Sequence, residues 1–241
     1  MARVVKQQEY AAKRGDILDA AQRLISIKGY EQMTIQDILA ELQISKGAFY
    51  HYFSSKPAVL EALIGRMLQE AKQLLTPIVE DPQLPALEKF QRFFATAARW
   101  KSERKSFVFA LMHVWYTDDN AITRLKLRSA RLKIVSPLLT AIIHQGLREG
   151  VLTTAYPDEV AEVVISLIED LGDTLAEQLL ARPQDRVGQR RLERTAAAYC
   201  DALERMLGAA PGSLQLIDAQ MIEEWLVAAD DAEMNVETME R

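Results

Sequence analysis

The apolar residues Leu60, Leu63, Ile64, Met67, Leu68, Ala71, Leu74 and Leu75 recur at intervals of three and four without a break. That spacing lines them along one face of an α-helix of about five turns. A strand cannot present it, because alternate residues of a strand point to opposite faces. The same period returns through most of the 241 residues, which hold only 10 Gly and 8 Pro and no alternating run of Val, Ile and Thr. The expected fold class is all-α. Helices are expected over about residues 16–28, from 34 to the early forties, 46–52, 56 to just before Pro77, 85–101, 103–115, 121–145, 157–181 and 189–207.

Charge is distributed unevenly. Residues 1–56 carry 8 Lys and Arg against 6 Asp and Glu (net +2), residues 57–212 carry 20 of each, and residues 213–241 carry 1 against 8 (net −7). The overall −5 therefore belongs to the last segment, and the whole-chain average hides a mildly basic N-terminal part. Cys200 is the only cysteine, which excludes a disulfide within the chain and a Cys-rich zinc site. No apolar run approaches the roughly 20 residues that a membrane-spanning helix needs, and the first fifteen residues are polar. The expectation is a cytoplasmic protein without a membrane partner.

Local signals concentrate between residues 14 and 64. Gly29 can take the positive φ that ends a first helix. Thr34 followed by Asp37 reads as a capping box for a short second helix carrying Ile35, Ile38, Leu39 and Leu42. Ser45 is a good N-cap for a third, residues 46–52. Two short helices about three residues apart form a candidate helix-turn-helix. The third begins with Lys46, Gly47 and Ala48, small enough for its backbone to press into a major groove about 12 Å wide. Tyr50 and His51 lie further along it, and Tyr, His and Lys all donate to phosphate oxygens. Gln36 is another donor, and helix starts near Thr34 and Lys56 offer backbone N–H groups to phosphates. Phe49, Tyr52 and Phe53 are expected in the small domain's core.

The string from Thr34 through Ile44-Ser45-Lys46-Gly47 to Tyr50-His51-Tyr52-Phe53 and Ser55-Lys56 resembles the N-terminal DNA-binding domain of the tetracycline-repressor (TetR) family of bacterial transcription regulators. A weaker similarity lies in Gly146 to Gly150 followed by Pro157-Asp158, which looks like the turn before the family's first dimerisation helix. One departure is Gln43, which stands where the family usually has a turn glycine and must itself accept φ > 0. The resemblance implies a three-helix DNA-binding domain at residues 1–56 and a helical ligand-binding and dimerisation domain at 57–212. An acidic amphipathic helix and tail at 213–241 lies outside it. It further implies a homodimer on a palindromic operator of double-stranded DNA, acting as a repressor released by a small-molecule effector. Expected DNA contacts are Thr34, Gln36, Ser45, Lys46, Gly47, Ala48, Tyr50, His51 and Lys56.

Two expectations concern the rest of the chain. Stripes of Val164, Leu167, Leu171 and Leu175 with Gly172, and of Leu192, Ala196, Tyr199 and Leu203, suit an antiparallel helix pair that doubles into a four-helix dimer interface. Aromatics gather in the central helices of a chain that is only 7% aromatic, and Phe94, Trp100, Phe107, Leu111, Met112, Trp115 and Tyr116 are the expected lining of an apolar effector pocket. Arg124, Arg128 and Arg131 share a helical face that reads as solvated. Glu169, Asp170 and Asp173 have no accompanying His or Cys, so no metal and no cofactor are expected. An enzyme is not expected either: there is no phosphate-cradling Gly-rich loop, no His-Glu-x-x-His and no nucleophile elbow, and His51, His113 and His144 fall on different helices. The competing reading is a helical interaction or ligand-binding protein without specific DNA binding.

Overall fold

A computed structural model describes the backbone of residues 2–115, 121–180, 186–216, 224 and 225. The side chains of 2–6, 112–115, 121–123, 126, 127, 180, 186, 187 and 189 lie outside that description. The helices are α1 (Ala2–Gln32), α2 (Ile35–Leu42), α3 (Lys46–Tyr52), α4 (Lys56–Glu80), α5 (Ala86–Ser102), α6 (Lys105–Trp115), α7 (Ala121–Glu149), α8 (Val160–Leu180) and α9 (Arg186–Leu207). No strand occurs among the described residues, and the fold is all-α as expected. Two compact units are present, one of residues 1–67 with 106–127 and one of 68–105 with 128–241.

The first unit closes on one core. Ile17, Ala21 and Ile25 of α1, Ile38 and Leu39 of α2, Phe49 of α3, Leu60 and Leu63 of α4 and Phe107 of α6 are all buried in it. α1 starts well before the expected residue 16, because the Ala-, Gln-, Lys- and Arg-rich stretch ahead of it has good helix propensity but no apolar period to announce it. Gly29, at φ 77 and ψ 162, interrupts α1 in a backbone region that only glycine occupies without strain. Thr34 then forms the expected capping box: its hydroxyl oxygen accepts the Asp37 N–H at 3.2 Å, and its own N–H donates to the Asp37 carboxylate at 2.7 Å. Gln43 adopts φ 52 and ψ 41 and donates its N–H to the Leu39 carbonyl, so the side chain-bearing residue takes the left-handed turn directly. Three residues separate α2 from α3, whose N-cap is Ser45.

α4 does not stop before Pro77 but runs on to Glu80. A proline removes one i→i−4 hydrogen bond and crowds the preceding turn. Here burial of Leu75, with Ile78 and Val79 packed against the second unit's core, favours one further turn. The ammonium of Lys89, only 4% exposed, donates to the Val79 carbonyl at 2.6 Å and satisfies one of the helix's last acceptors. α7 likewise continues through Pro137 to Glu149, a turn beyond the expected end.

In the second unit Phe90 and Phe93 of α5, Leu139, Ile142 and Ile143 of α7, Val164 and Leu171 of α8 and Leu203 of α9 share a core. Pro85 gives α5 no side-chain cap, and Glu149 supplies one, its carboxylate accepting the Ala86 N–H at 2.9 Å. A Cβ on Gly146 would lie 2.5 Å from Leu152, so glycine is required there for the chain to double back before α8. α8 begins at Val160, later than expected, and runs antiparallel to α9: Asp170 accepts from the Tyr199 hydroxyl, and Gln178 Nε2 donates to Thr195 Oγ1 at 3.4 Å. Beyond α9, the Glu204 carboxylate accepts the Leu214 N–H at 2.9 Å, and Leu214 and Leu216 are buried in the same core. Ile217, Met221, Ile222 and Leu226 of the expected tail helix lie outside the described residues. Trp225 donates to Ser102 Oγ at 3.1 Å and packs against Leu179 and Leu192.

The capping box generates a stability prediction. The Asp37 carboxyl is held down to about 2, below its ordinary 3.8, first by the hydrogen bond from Lys28 and then by those from the Thr34 hydroxyl and N–H. The folded value lies below the unfolded one, so its stabilisation is complete above about pH 4 and is lost as pH falls towards 2. Asp37→Asn is expected to lower stability by about 1 kcal/mol at pH 7 and by progressively less below pH 4. Urea unfolding at pH 7, 4 and 3 checks this, and an equal loss at all three values would contradict it.

Candidate nucleic-acid interface

α3 divides cleanly into two faces. Phe49 has no exposed surface and Phe53, just past the helix, is 3% exposed. On the other side Lys46, Gly47, Tyr50 and His51 are all exposed. Their spacing of one, three and one residues gives a single continuous outward patch. Tyr50 is held upright by an edge-on contact with Phe49, centroids 5.5 Å apart, and the Lys46 ammonium lies 6.0 Å from the Tyr50 ring. Ser45 Oγ accepts the Ala48 N–H at 3.1 Å, so its oxygen serves as the cap while its proton remains available to an outside acceptor.

Gly47 is the informative residue of this face. A Cβ there would meet nothing nearer than Ser45 Oγ at 3.9 Å. Neither the backbone nor the packing of the chain requires glycine at this position. Yet glycine within a helix costs about 0.5–1 kcal/mol relative to alanine. A small residue kept against that cost fits a surface that something else must approach closely.

The other expected DNA contacts are placed differently. Gln36 is exposed near the start of α2. Thr34 and its N–H are engaged with Asp37, which also pairs with Lys28 at 2.6 Å. Lys56 turns to its own chain: Nζ donates to the Glu31 carbonyl at 3.1 Å and lies 4.3 Å from the buried Tyr30 ring. Burial lowers the Lys56 pKa from its ordinary value, and burial raises that of Tyr30 to about 12. Ser55, not expected as a functional residue, caps α4 by accepting the Ala58 N–H at 3.2 Å.

Sequence reading missed the contribution of α1 to this face. The Tyr10 ring packs 4.8 Å from Tyr52 and 5.6 Å from His51, and the Arg14 guanidinium lies 4.7 Å from the Phe53 ring. The i, i+4 relation of Tyr10 and Arg14 was the signal available. It was obscured because neither residue belongs to an apolar stripe.

Of the residues expected around an effector, Phe107 and Leu111 belong to the first unit and Phe94 and Trp100 to the second. Phe107 is buried in the first unit's core, with Leu111 packed against it. Phe94 stacks on Phe90 and Phe93 in the second unit, centroids 4.8 and 5.2 Å apart, and Trp100 is 8% exposed under the Arg104 guanidinium. The side chains of Met112 and Trp115, and all of Tyr116, lie outside the described residues. A groove in the second unit, lined by Thr153, Tyr156, Val160, Val163 and Met206, includes none of the expected residues.

Of the expected dimer contacts, Val164, Leu171, Leu192, Ala196 and Leu203 are buried by their own chain. Leu167, Leu175 and Tyr199 are half-buried, and Gly172 is exposed. Arg128 and Arg131 are not merely solvated, since both pair with Glu169 of α8, at 3.4 and 2.8 Å.

Comparison with known proteins bears on both units. The family model described as bacterial regulatory proteins of the tetR family matches residues 17–63, and one described as a tetracyclin repressor-like C-terminal domain matches residues 112–179. Residues 17–63 and 112–179 thus each match a domain of the TetR family. The transcriptional regulator EthR of Mycolicibacterium smegmatis is 29% identical over 161 residues, covering 59% of this chain and 74% of EthR. The transcriptional repressor DhaR of Mycobacterium sp. strain GP1 is 26% identical over 82 residues, covering 34% of this chain, and the chain spans 41% of DhaR's length. A crystal structure of a TetR-family regulator from Pectobacterium atrosepticum superposes with a TM-score of 0.63 at 20% identity, covering 83% of this chain and 96% of that one. That last likeness is one of fold.

The open space around Gly47 predicts that Gly47→Ala raises stability by about 0.5–1 kcal/mol. The urea midpoint reads this, and a lowered midpoint would mean that the position is not free within the chain.

Proposed function

We propose that this chain is a sequence-specific DNA-binding transcription regulator of the TetR family, not an enzyme, and that α3 is the helix that enters the major groove. The observation that carries the reading is the outward face of α3: a glycine that the chain itself does not need, next to Lys46, Tyr50 and His51 and facing solvent. Gly47 and Ala48 let the helix backbone approach base edges, while Lys46, Tyr50 and His51 donate to phosphates and set the register. Ser45 and Gln36 supply further donors. Thr34 and Lys56 act mainly by fixing the helices, since their polar groups are bonded within the chain.

The proposal extends to a cytoplasmic homodimer that represses from a palindromic operator and is released by a small apolar or aromatic effector. Residues 1–56 serve as the reading domain, 57–212 as the effector and dimerisation domain, and 213–241 as an acidic tail. Gly172, Leu167, Leu175 and Tyr199 are the expected interface residues that still show surface to a second copy. No described helix is long and apolar enough to cross a membrane, which suits a protein that works on DNA.

The test is selection of random duplex DNA with the purified full-length protein, followed by titration of the enriched site. An enriched palindrome bound by two copies, with affinity falling as salt rises, is expected. Tyr50→Ala and Gly47→Ala are each expected to weaken binding by about tenfold or more, roughly 1.4 kcal/mol, Gly47→Ala doing so while raising stability. Failure to enrich any duplex would favour a helical interaction protein instead.

A further inference from the structure

A protein that grips DNA must neutralise phosphates, yet the cations of residues 15–56 are largely engaged within the chain. Arg23 pairs with Glu41 and Lys28 with Asp37, each at 2.6 Å, and Lys56 donates to the Glu31 carbonyl. Lys46 is the cation on the outward face of α3. Counted against Asp16, Asp19, Glu31, Asp37 and Glu41, that stretch is net −1. The positive charge lies just ahead of it: Arg3, Lys6, Lys13 and Arg14 against Glu9 make residues 2–14 net +3.

Because α1 is helical from Ala2, positions 3, 6, 10, 13 and 14 fall within a stripe about 100° wide. Tyr10 and Arg14 show where that stripe is directed, since their contacts with His51, Tyr52 and Phe53 lay it against the C-terminal half of α3. Lys13 is 65% exposed in its side chain and stands 3.6 Å from Asp16, a solvent-screened pair that a phosphate can replace at little cost. Contact places Tyr10 and Arg14 beside α3, and the helical register puts positions 3, 6 and 13 on the same face of α1.

We propose that this N-terminal stripe of α1 is a second DNA contact. The cations at positions 3, 6 and 13 neutralise phosphates of the backbone flanking the groove that α3 enters, and Tyr10 and Arg14 hold the stripe in place. The contact is electrostatic and carries no sequence preference, so it adds affinity and salt dependence while α3 supplies selectivity. This inference rests on the DNA-binding reading above.

The test uses the full-length protein and the duplex that it selects, titrated by fluorescence anisotropy at several KCl concentrations, for wild type, Tyr50→Ala, the triple variant Arg3→Gln/Lys6→Gln/Lys13→Gln, and Glu9→Lys. Each phosphate contact contributes about 0.9 to the slope of log affinity against log salt. The triple variant in a dimer is expected to flatten that slope by up to about 5 and to weaken binding about tenfold or more near 0.15 M salt, while still enriching the same sequence. Glu9→Lys, which adds a cation beside Lys13, is expected to steepen the slope and tighten binding. An unchanged slope in both variants, with Tyr50→Ala impaired, would overturn this inference and leave the DNA-binding reading intact. Loss of sequence preference along with affinity in the triple variant would overturn it too, because the stripe would then be shaping α3 rather than touching phosphate. A wild type that binds no duplex overturns both readings.

Discussion

The burial of Phe49 is the contact on which the outward face depends. α3 has seven residues, far below the length at which an isolated helix is stable in water. The Ser45 cap contributes about 1 kcal/mol. Fully burying a phenylalanine contributes about 2–3 kcal/mol, and Phe49 is fully buried in the core that Ile38, Leu60 and Leu63 also build. With Phe49 fixed inward, the 3.6-residue period leaves Lys46, Gly47, Tyr50 and His51 no direction but outward. Selectivity for a ligand on that face is thus set from beneath it.

The polar contacts around this core tie helices together rather than offering themselves to solvent. Lys28 of α1 reaches the capping box of α2, Arg23 of α1 reaches Glu41 of α2, and Lys56 at the start of α4 reaches the carbonyl of Glu31 near the end of α1. Each is an exposed or half-exposed pair of modest strength. Together they fix the angles at which α1, α2 and α4 meet, which matters more to a reading head than to stability alone. The same use leaves the small domain short of outward charge. That shortage makes the cationic first turns of α1 stand out.

Much of this was legible in the sequence where local chemistry decides the outcome. The Thr34–Asp37 box and the Ser45 cap depend on a few adjacent residues, and the structure has them where their side chains require, while Gly29 breaks α1 with a positive φ but helix resumes as far as Gln32. Gln43 shows the same logic under stress: with no glycine available, the turn geometry still wins and a side chain-bearing residue takes φ 52. Tertiary effects were not legible. Pro77 sits inside α4 because packing around it outweighs the local penalty, a balance that no short window can reveal. The start of α1 was missed because a polar helix leaves no apolar period. That the Lys56 side chain would reach the Glu31 carbonyl beside Tyr30 was likewise not legible. The grouping of aromatics around Phe94 and Phe107 identified apolar residues correctly, without indicating that they pack in separate cores.

The same limit governs the long helices of the second unit. An apolar stripe read from sequence says that a face is covered, not by what. In α8 and α9, Val164, Leu171 and Leu203 are covered by α5, α7 and each other's helix within one chain, as their shared core requires. A helix pair that uses its most apolar stripe for its own core can meet a second copy only along the margins of that stripe. Those margins hold Leu167, Leu175, Tyr199 and the open Gly172, a mixture of half-buried apolar groups and one small residue at which helices can approach closely. Such an interface need not be strong by itself if each copy also holds DNA. Joining two weak reading heads turns the second contact into an intramolecular one, and its effective concentration supplies affinity that neither head has alone. In the proposed dimer, a small domain with few outward cations and an interface drawn from the edges of a core would be two parts of one economy, each supporting the other.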